Sequence, residues 1–230
     1  MTEKNQSQRE SSATRTGAAI KAVCKRLLPS LVVHEVQKFR ALAGNERPLY
    51  LRTRLLNSIG FENLKHSRPP RSARSFLFVC FGNIMRSPMC EALMRRELSA
   101  GPEGTFTIRS AGLHAFPSRE AHPWAVAAAK DFCISLERHR AQPLTPALVE
   151  EADAILLMDY QNLVQYLSRF PQAKSKAFML SAYAGENYPS VEIADPYYAG
   201  EAGTRKCYEI LDSCVRNLAS SLRSSRNAAS

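Results

Sequence analysis

From residue 76 onward, short apolar runs alternate with longer segments whose apolar residues recur at helical spacing. The runs have the length of buried strands, and the longer segments are typical of helices packed against a sheet. This alternation predicts an α/β fold, namely a four-stranded parallel sheet with helices on both faces. The predicted strands are residues 76–79, 106–109, 154–158 and 177–180, and the predicted helices are 87–98, 124–132, 146–151, 161–170 and 204–222.

The segment before residue 76 has a different pattern and predicts a helical N-terminal extension. Two stretches carry apolar residues on one helical face, one within residues 31–42 and one that begins at Pro48. The second stretch presents Leu51, Leu55 and Ile59 at four-residue spacing. The predicted organisation is a disordered tail at 1–18, a basic helical extension at 19–64, a linker at 65–75, a folded α/β domain at 76–222 and a flexible tail at 223–230.

Charge changes the interpretation of the extension but not that of the domain. The chain has a net charge of +10, and residues 1–75 hold 15 Lys and Arg against 5 Asp and Glu, which accounts for all of it. The extension is expected either to form a helical hairpin docked on the domain or to contact an anionic surface or an acidic partner. Nucleic acid is not an expected partner, because the extension lacks a clear alternation of aromatic residues and arginines.

Composition narrows the class of protein further. No run approaches the length of about 18 apolar residues that a transmembrane helix needs, and the polar start of the chain lacks the apolar core of a secretory signal. The six Cys have no regular spacing, so neither a disulfide framework nor a zinc site is expected. Cys207 and Cys214 share a helical face and are expected to pack in the core. Free thiols favour a reducing compartment, so the expected location is cytoplasmic.

The segment between the first predicted strand and the first predicted helix has the features of an anion-binding loop. Cys80 ends the strand, Gly82 supplies backbone angles that other residues resist, and Ser87 and Pro88 suit the cap and first turn of the helix. Backbone N–H groups and the positive helix end then surround one point. Arg86 adds a planar fork that matches two phosphate oxygens. The loop residues are Phe81, Gly82, Asn83, Ile84 and Met85.

Cys80 is predicted to be a nucleophile in this setting. A thiol beneath an anion cradle is expected to be a thiolate at neutral pH, and its position suggests phosphoryl transfer to sulfur. Spacing alone does not identify it, because Cys90 and Arg96 stand the same distance apart in sequence. That second pair lies within a glycine-free helical pattern, so the context favours Cys80.

The loop sequence VCFGNIMRSPM resembles the active-site loop of the low-molecular-weight protein tyrosine phosphatases, V-C-x-G-N-x-C-R-S-P. Met85 departs from the family, which often has a second Cys at that position. The domain at 76–222 is therefore expected to have the fold of these phosphatases and to need no cofactor. The resemblance covers about residues 75–222 and includes Ser110-Ala111-Gly112, His139-Arg140-Ala141, Leu157-Met158-Asp159 and Asp195-Pro196-Tyr197-Tyr198.

The resemblance implies roles for residues far from the loop. Asp195 matches the general acid of the family, which protonates the leaving group. Tyr197 and Tyr198 match walls of the substrate pocket, and Phe116 corresponds to another aromatic wall. Asp159 directly precedes a predicted helix and is interpreted as its cap. The polar residues that match the support of the loop are Asn83, Ser87, Ser110 and His139.

The resemblance implies a protein-tyrosine phosphatase that hydrolyses phosphotyrosine through a cysteinyl-phosphate intermediate. The expected partner is a phosphotyrosine-bearing protein, because the substrates of bacterial members are often tyrosine kinases that control exopolysaccharide export. Two alternatives remain open. Arsenate reductases of the same fold rely on a further Cys pair near the third strand, and residues 155–161 contain no Cys. Arginine phosphatases tend to carry Thr at the position of Ile84 and lack the paired tyrosines.

Overall fold

The computed structural model describes residues 36, 38–60, 63–99 and 106–227. The chain divides into two compact units, residues 1–47 and 48–230. The predicted disordered tail and most of the first amphipathic stretch lie outside the described residues. Residues 38–41 of the first unit are helical. In the same unit the guanidinium of Arg47 donates to the backbone carbonyls of Leu42 and Arg40, at 3.2 and 3.3 Å.

Strands and helices alternate along the domain as the apolar pattern predicts. In the part of the chain that is described, no helix is long and apolar enough to cross a membrane. The strands are β1 Ser75–Cys80, β2 Thr107–Gly112, β3 Ala154–Leu157 and β4 Ala177–Met179. The helices are α1 Glu46–Ser58, α2 Arg86–Leu98, α3 Pro123–Ala129, α4 Pro146–Glu151, α5 Tyr160–Arg169 and α6 Gly200–Asn227.

The four strands form one parallel sheet in the order β2-β1-β3-β4. This topology confirms the predicted α/β class and the four-stranded parallel sheet. Because β1 has a neighbour on each side, its carboxyl end lies in the middle of the sheet edge where parallel sheets bind ligands. Cys80 stands at that end, opposite Gly112 of β2, while Val79 lies opposite Leu157 of β3.

Helices cover both faces of the sheet, as predicted. The residues of β1 from Phe76 to Cys80 are all buried, which is the pattern of a strand enclosed on both faces. Phe76 and Phe78 pack in a core that includes residues of α2, α3 and α6. Leu77 and Val79 pack in a second core, together with residues of α4 and α5. The odd and even positions of one strand therefore anchor it to two separate layers.

Two elements extend beyond their predicted bounds by more than one residue. β2 ends at Gly112 instead of residue 109, because its backbone continues to pair with β1 as far as Cys80. The final helix α6 begins before residue 204 and continues to Asn227, so residues 223–227 of the predicted flexible tail are helical. No Gly or Pro occurs between Leu222 and Asn227 to end the helix.

Candidate active site

The site is built where β1 ends, the loop turns and α2 begins. Cys80 is 3% exposed and closes the strand. The prediction that Ser87 caps α2 is wrong, because the cap position falls on Met85, whose side chain makes no capping bond. The hydroxyl of Ser87 is instead directed at the thiol, with 3.1 Å between Ser87 Oγ and Cys80 Sγ. A hydroxyl at this distance can donate a hydrogen bond to a thiolate.

The left-handed residue of the loop is Asn83, with φ +52°, and not the predicted Gly82. Asparagine visits this region more readily than most residues, since its short polar side chain bonds locally. A Cβ on Gly82 would lie 3.5 Å from the side chain of Ile84, which is an ordinary contact. Gly112 has no such room, because a Cβ there would lie 2.8 Å from the backbone of both Asn83 and Gly82. The glycine that the loop requires therefore stands on β2.

The buried side chain of Asn83 connects the loop to its surroundings. Its Nδ2 donates to the hydroxyls of Ser87 and Ser110, both at 2.9 Å. Its Oδ1 accepts from the backbone N–H of Gln142 at 2.9 Å. The backbone carbonyl of Asn83 lies 2.7 Å from His139 Nε2, so this nitrogen must carry the proton and donate. Together, these hydrogen bonds hold the loop in one conformation.

Two further contacts support the loop through residues that the sequence analysis missed. The hydroxyl of Ser110 donates to Glu91 of α2 at 2.6 Å. The hydroxyl of Tyr208, on α6, donates to the backbone carbonyl of Met85 at 3.0 Å. Tyr208 is fully buried, and burial raises the pKa of its hydroxyl, so it remains a neutral donor. No local motif signals the contact between Tyr208 and Met85, since 123 residues separate them.

Arg86 is 2% exposed and is held by three acceptors. Its Nη1 donates to Asp159 Oδ2 at 2.6 Å and to the carbonyl of Ile193 at 3.0 Å, and its Nη2 donates to Asp195 Oδ2 at 2.6 Å. Burial lowers the pKa of Arg86, but the carboxylates of Asp195 and Asp159 outweigh that effect and raise it. Within the described residues, Nε–H and the second Nη2–H make no further bond. The guanidinium therefore keeps two donors that could serve phosphate oxygens.

Asp159 has a second contact that the sequence analysis missed. The predicted capping role is confirmed, because Oδ1 accepts from the backbone N–H of Asn162 at 2.7 Å. The other oxygen holds Arg86. The position of Asp159 after β3, which neighbours β1, is the signal that could have revealed this contact.

Among the residues described, no three His, Cys, Asp or Glu side chains form a group that could hold a metal ion.

The aromatic residues that the sequence assigns to the site differ in exposure and in the contacts they make. The carboxylate of Asp195, 38% exposed, accepts from the backbone N–H of Tyr197 at 3.2 Å. The ring of Tyr197 lies 4.9 Å from that of Tyr198 and 5.4 Å from that of His122. Tyr198 is 93% exposed and Phe116 is 72% exposed, so their predicted role as walls of a substrate pocket stays a prediction. Phe81, in the loop, is stacked on His114 at 4.5 Å.

A Cys-x5-Arg loop at the carboxyl end of a central parallel strand is the arrangement expected of a class of small α/β phosphatases. Within that class, the chain belongs to the low molecular weight phosphotyrosine protein phosphatase family, whose sequence model matches residues 75–228. This match confirms the family suggested by the resemblance of the loop. Residues 1–74 lie outside it.

The relatives include phosphatases of two specificities. A protein-arginine-phosphatase of Bacillus subtilis is 35% identical over 151 residues, covering 65% of this chain and 97% of the relative. A probable low molecular weight protein-tyrosine-phosphatase, EpsP of Ralstonia nicotianae, is 40% identical over 124 residues, covering 54% and 79%. The solved tyrosine phosphatase Wzb from Escherichia coli K30, in complex with sulphate, is 32% identical with a TM-score of 0.58, covering 65% of this chain and 99% of that one.

A first prediction concerns the glycine on β2. Gly112→Ala is expected to lower the free energy of unfolding by about 2–3 kcal/mol, because the new Cβ meets backbone atoms that cannot move independently. Gly82→Ala is the matched control and is expected to cost less than about 1 kcal/mol, since its Cβ has room. Urea unfolding of both variants provides the measurement. Equal losses would contradict the conclusion that the requirement for glycine lies at Gly112.

A second prediction concerns the buried ion pair. Asp159→Asn keeps an oxygen for the helix cap but removes the charge opposite Arg86, so it is expected to cost about 2–3 kcal/mol of unfolding free energy. Glu151→Gln is the control, because it removes a charge from an exposed pair with Arg109 and is expected to change stability by less than about 0.5 kcal/mol. Chemical denaturation measures both. A loss no larger than that of the control would contradict a structural role for the pair.

Proposed function

We propose that the chain is a protein-tyrosine phosphatase that hydrolyses phosphotyrosine through a cysteinyl-phosphate intermediate. The observation that carries the proposal is the meeting of Arg86 with Asp195, 109 residues apart, beside the loop that holds Cys80. The arrangement supplies a sulfur nucleophile, a fixed cation and a carboxyl group that can transfer protons. Membership of the family supports the same reaction.

In the first step, the Cys80 thiolate attacks phosphorus and the bond from phosphorus to the tyrosine oxygen breaks. Asp195, protonated at this stage, gives its proton to the departing phenolate. The unused Nε–H and Nη2–H of Arg86 bind two oxygens of the phosphoryl group, together with the backbone amides of loop residues Phe81 to Met85. A phosphoryl dianion beside Arg86 competes with Asp195 for the guanidinium. Substrate binding would therefore free the carboxyl group to act.

In the second step, water attacks the cysteinyl-phosphate and the bond between sulfur and phosphorus breaks. Asp195 takes a proton from the attacking water, and Cys80 leaves as a thiolate. The hydroxyl of Ser87, 3.1 Å from the sulfur, can donate to that thiolate and stabilise it as a leaving group. Asn83, Ser110 and His139 act in this proposal by holding the loop in place.

Phosphotyrosine is preferred to phosphoarginine in this proposal. A phosphoarginine carries a charged, hydrogen-bonding guanidino group, whereas the side chain of Ile84 in the loop has no polar atom. Tyr197 and Tyr198 suit a flat aromatic substrate better, because rings stack on rings. The identity to an arginine phosphatase makes phosphoarginine the alternative to test. The proposed partner is a phosphotyrosine-bearing protein, such as an exopolysaccharide-linked tyrosine kinase, and the proposed compartment is the cytoplasm.

Cys80 is preferred to Cys90 as the nucleophile on physical grounds. Cys90 is fully buried in α2, and burial raises the pKa of its thiol well above the ordinary value, so it is a neutral thiol near pH 7. Cys207 and Cys214 are buried in the core, as predicted, and burial raises the pKa of each to about 12. A thiol held neutral is a poor nucleophile.

A third prediction tests the reaction and its nucleophile together. The wild-type chain is assayed on phosphotyrosine, phosphoserine and phosphoarginine peptides and on arsenate with thioredoxin, and phosphotyrosine is expected to be hydrolysed fastest. Cys80→Ser is expected to lower kcat at least about 10³-fold while still binding vanadate, because the loop amides and Arg86 remain. Cys90→Ser, the control, should stay active. Faster turnover of phosphoarginine or arsenate would contradict the proposed function. A folded but inactive Cys90→Ser would contradict the assignment of Cys80 as the nucleophile.

A fourth prediction tests the acid role of Asp195. Asp195→Asn is expected to lower kcat/KM on a phosphotyrosine peptide about 10²–10³-fold, because the phenolate must then leave without a proton. On p-nitrophenyl phosphate, whose leaving group needs less help, the loss should be about tenfold or smaller. The ratio of the two losses is the measurement. A ratio of one would assign Asp195 to binding and leave the acid unidentified.

A further inference from the structure

The segment that carries Asp195 has little regular structure of its own. It spans residues 184–195, which we call the acid loop, between the 3₁₀ turns Leu180–Tyr183 and Pro196–Tyr198. Part of the acid loop is held by hydrogen bonds to other residues within the family match, residues 75–228. The N–H of Ile193 donates to the carbonyl of Met158 at 2.7 Å, and the hydroxyl of Ser181 donates to the carbonyl of Val191 at 2.6 Å. Arg86 holds the end of the acid loop as well, through the carbonyl of Ile193 and the carboxylate of Asp195.

A second set of anchors comes from outside the family match. Residues 63–68, which we call the strap, precede residue 75, where the match begins, but they belong to the same compact unit, residues 48–230. The ammonium of Lys65 donates to the carbonyl of Tyr188 in the acid loop. Leu64 packs against the same buried cluster as Val191 of the acid loop. The strap and the acid loop thus share both a hydrogen bond and a hydrophobic anchor.

Arg68 holds the start of the acid loop. Its guanidinium donates to the carbonyl of Ala182 at 2.5 Å. It also lies 4.7 Å from the centre of the Tyr183 ring, a cation–π distance. Both contacts fall on the 3₁₀ turn that leads directly into residue 184. The two basic residues of the strap therefore fix the acid loop at its beginning and near its middle.

Helix α1 adds a third contact where the acid loop meets α5. Tyr50 is 3% exposed, and its ring packs edge-on against Tyr160 with 6.3 Å between centres. Arg54 lies 5.1 Å over the Tyr160 ring. The backbone N–H of Tyr160 donates to the carboxylate of Glu192, in the acid loop, at 3.2 Å. Burial raises the pKa of Tyr50, and the nearby carboxylates of Glu192 and Asp159 raise it further. The extension therefore contacts Tyr160, the residue directly after Asp159.

We propose that the strap is a positioning element for Asp195: Lys65 and Arg68 hold the acid loop so that its carboxyl group meets the leaving oxygen. The inference rests on the proposed role of Asp195 as the general acid. Proton transfer in the transition state needs hydrogen-bond distance, and small displacements of a reacting group cost large factors in rate. An extension absent from the family match thereby becomes part of the catalytic apparatus of this chain.

A fifth prediction follows for substrates that differ in leaving group. Lys65→Ala and Arg68→Ala are each expected to lower kcat/KM on a phosphotyrosine peptide about five- to tenfold, but less than about twofold on p-nitrophenyl phosphate. Lys65→Arg should restore most of the loss, since it keeps a donor at the carbonyl of Tyr188. His66→Ala is the control, because that exposed side chain lies on the same turn. Hydrogen exchange should accelerate at the amides of residues 185–194 in Lys65→Ala.

The Asp195→Asn background separates positioning from general destabilisation. Lys65→Ala introduced there is expected to change kcat/KM less than about twofold, because the group that the strap positions has already been removed. Equal losses on both substrates, an undiminished loss in the Asp195→Asn background, or faster exchange with unchanged discrimination would each overturn the inference. Failure of the proposed function is distinguishable, since the wild type would then fail to hydrolyse phosphotyrosine or Asp195→Asn would lose equally on both substrates.

Discussion

The buried guanidinium of Arg86 is the interaction on which the geometry of the site depends. A cation at 2% exposure is tolerable only with close counter-charges, and Asp159 and Asp195 supply them at 2.6 Å each. The two carboxylates come from the end of β3 and from the acid loop, so one charge fixes the relative position of three distant segments. The same contacts fix the orientation of the guanidinium and leave it two donors for a phosphate.

The fold was predictable because its signals are local. Apolar runs of strand length, separated by helical patterns, follow from residues that are close in sequence, and the order and type of the elements agree with the structure. The ends of the elements were harder to predict, because they depend on contacts with other parts of the chain. β2 continues past residue 109 only because β1 offers backbone groups as far as Cys80 for pairing with Gly112. No pattern within β2 itself indicates where that pairing stops.

The residues of the site were likewise predictable where the signal is local and were missed where it depends on the fold. Cys80 and Arg86 stand within one short loop whose context, strengthened by resemblance to a family, marks them out. Asn83, predicted only as a supporting residue, also takes the left-handed conformation that the sequence assigned to Gly82. Asp159 was predicted as a cap and proved to hold Arg86 as well. Such second contacts depend on which elements neighbour one another in space, and that information is absent from local spacing.

The basic extension shows the limits of reasoning from net charge. Its excess of Lys and Arg is compatible with an anionic partner, yet several of these charges have intramolecular contacts. Lys65 and Arg68 donate to backbone carbonyls, and Arg54 donates to the hydroxyl of Tyr50 at 2.9 Å. A carbonyl dipole or an aromatic face can accept a cation without any acidic residue nearby, so a count of charged residues overlooks these contacts. For this part of residues 48–75, positive charge therefore serves to attach the extension to the domain.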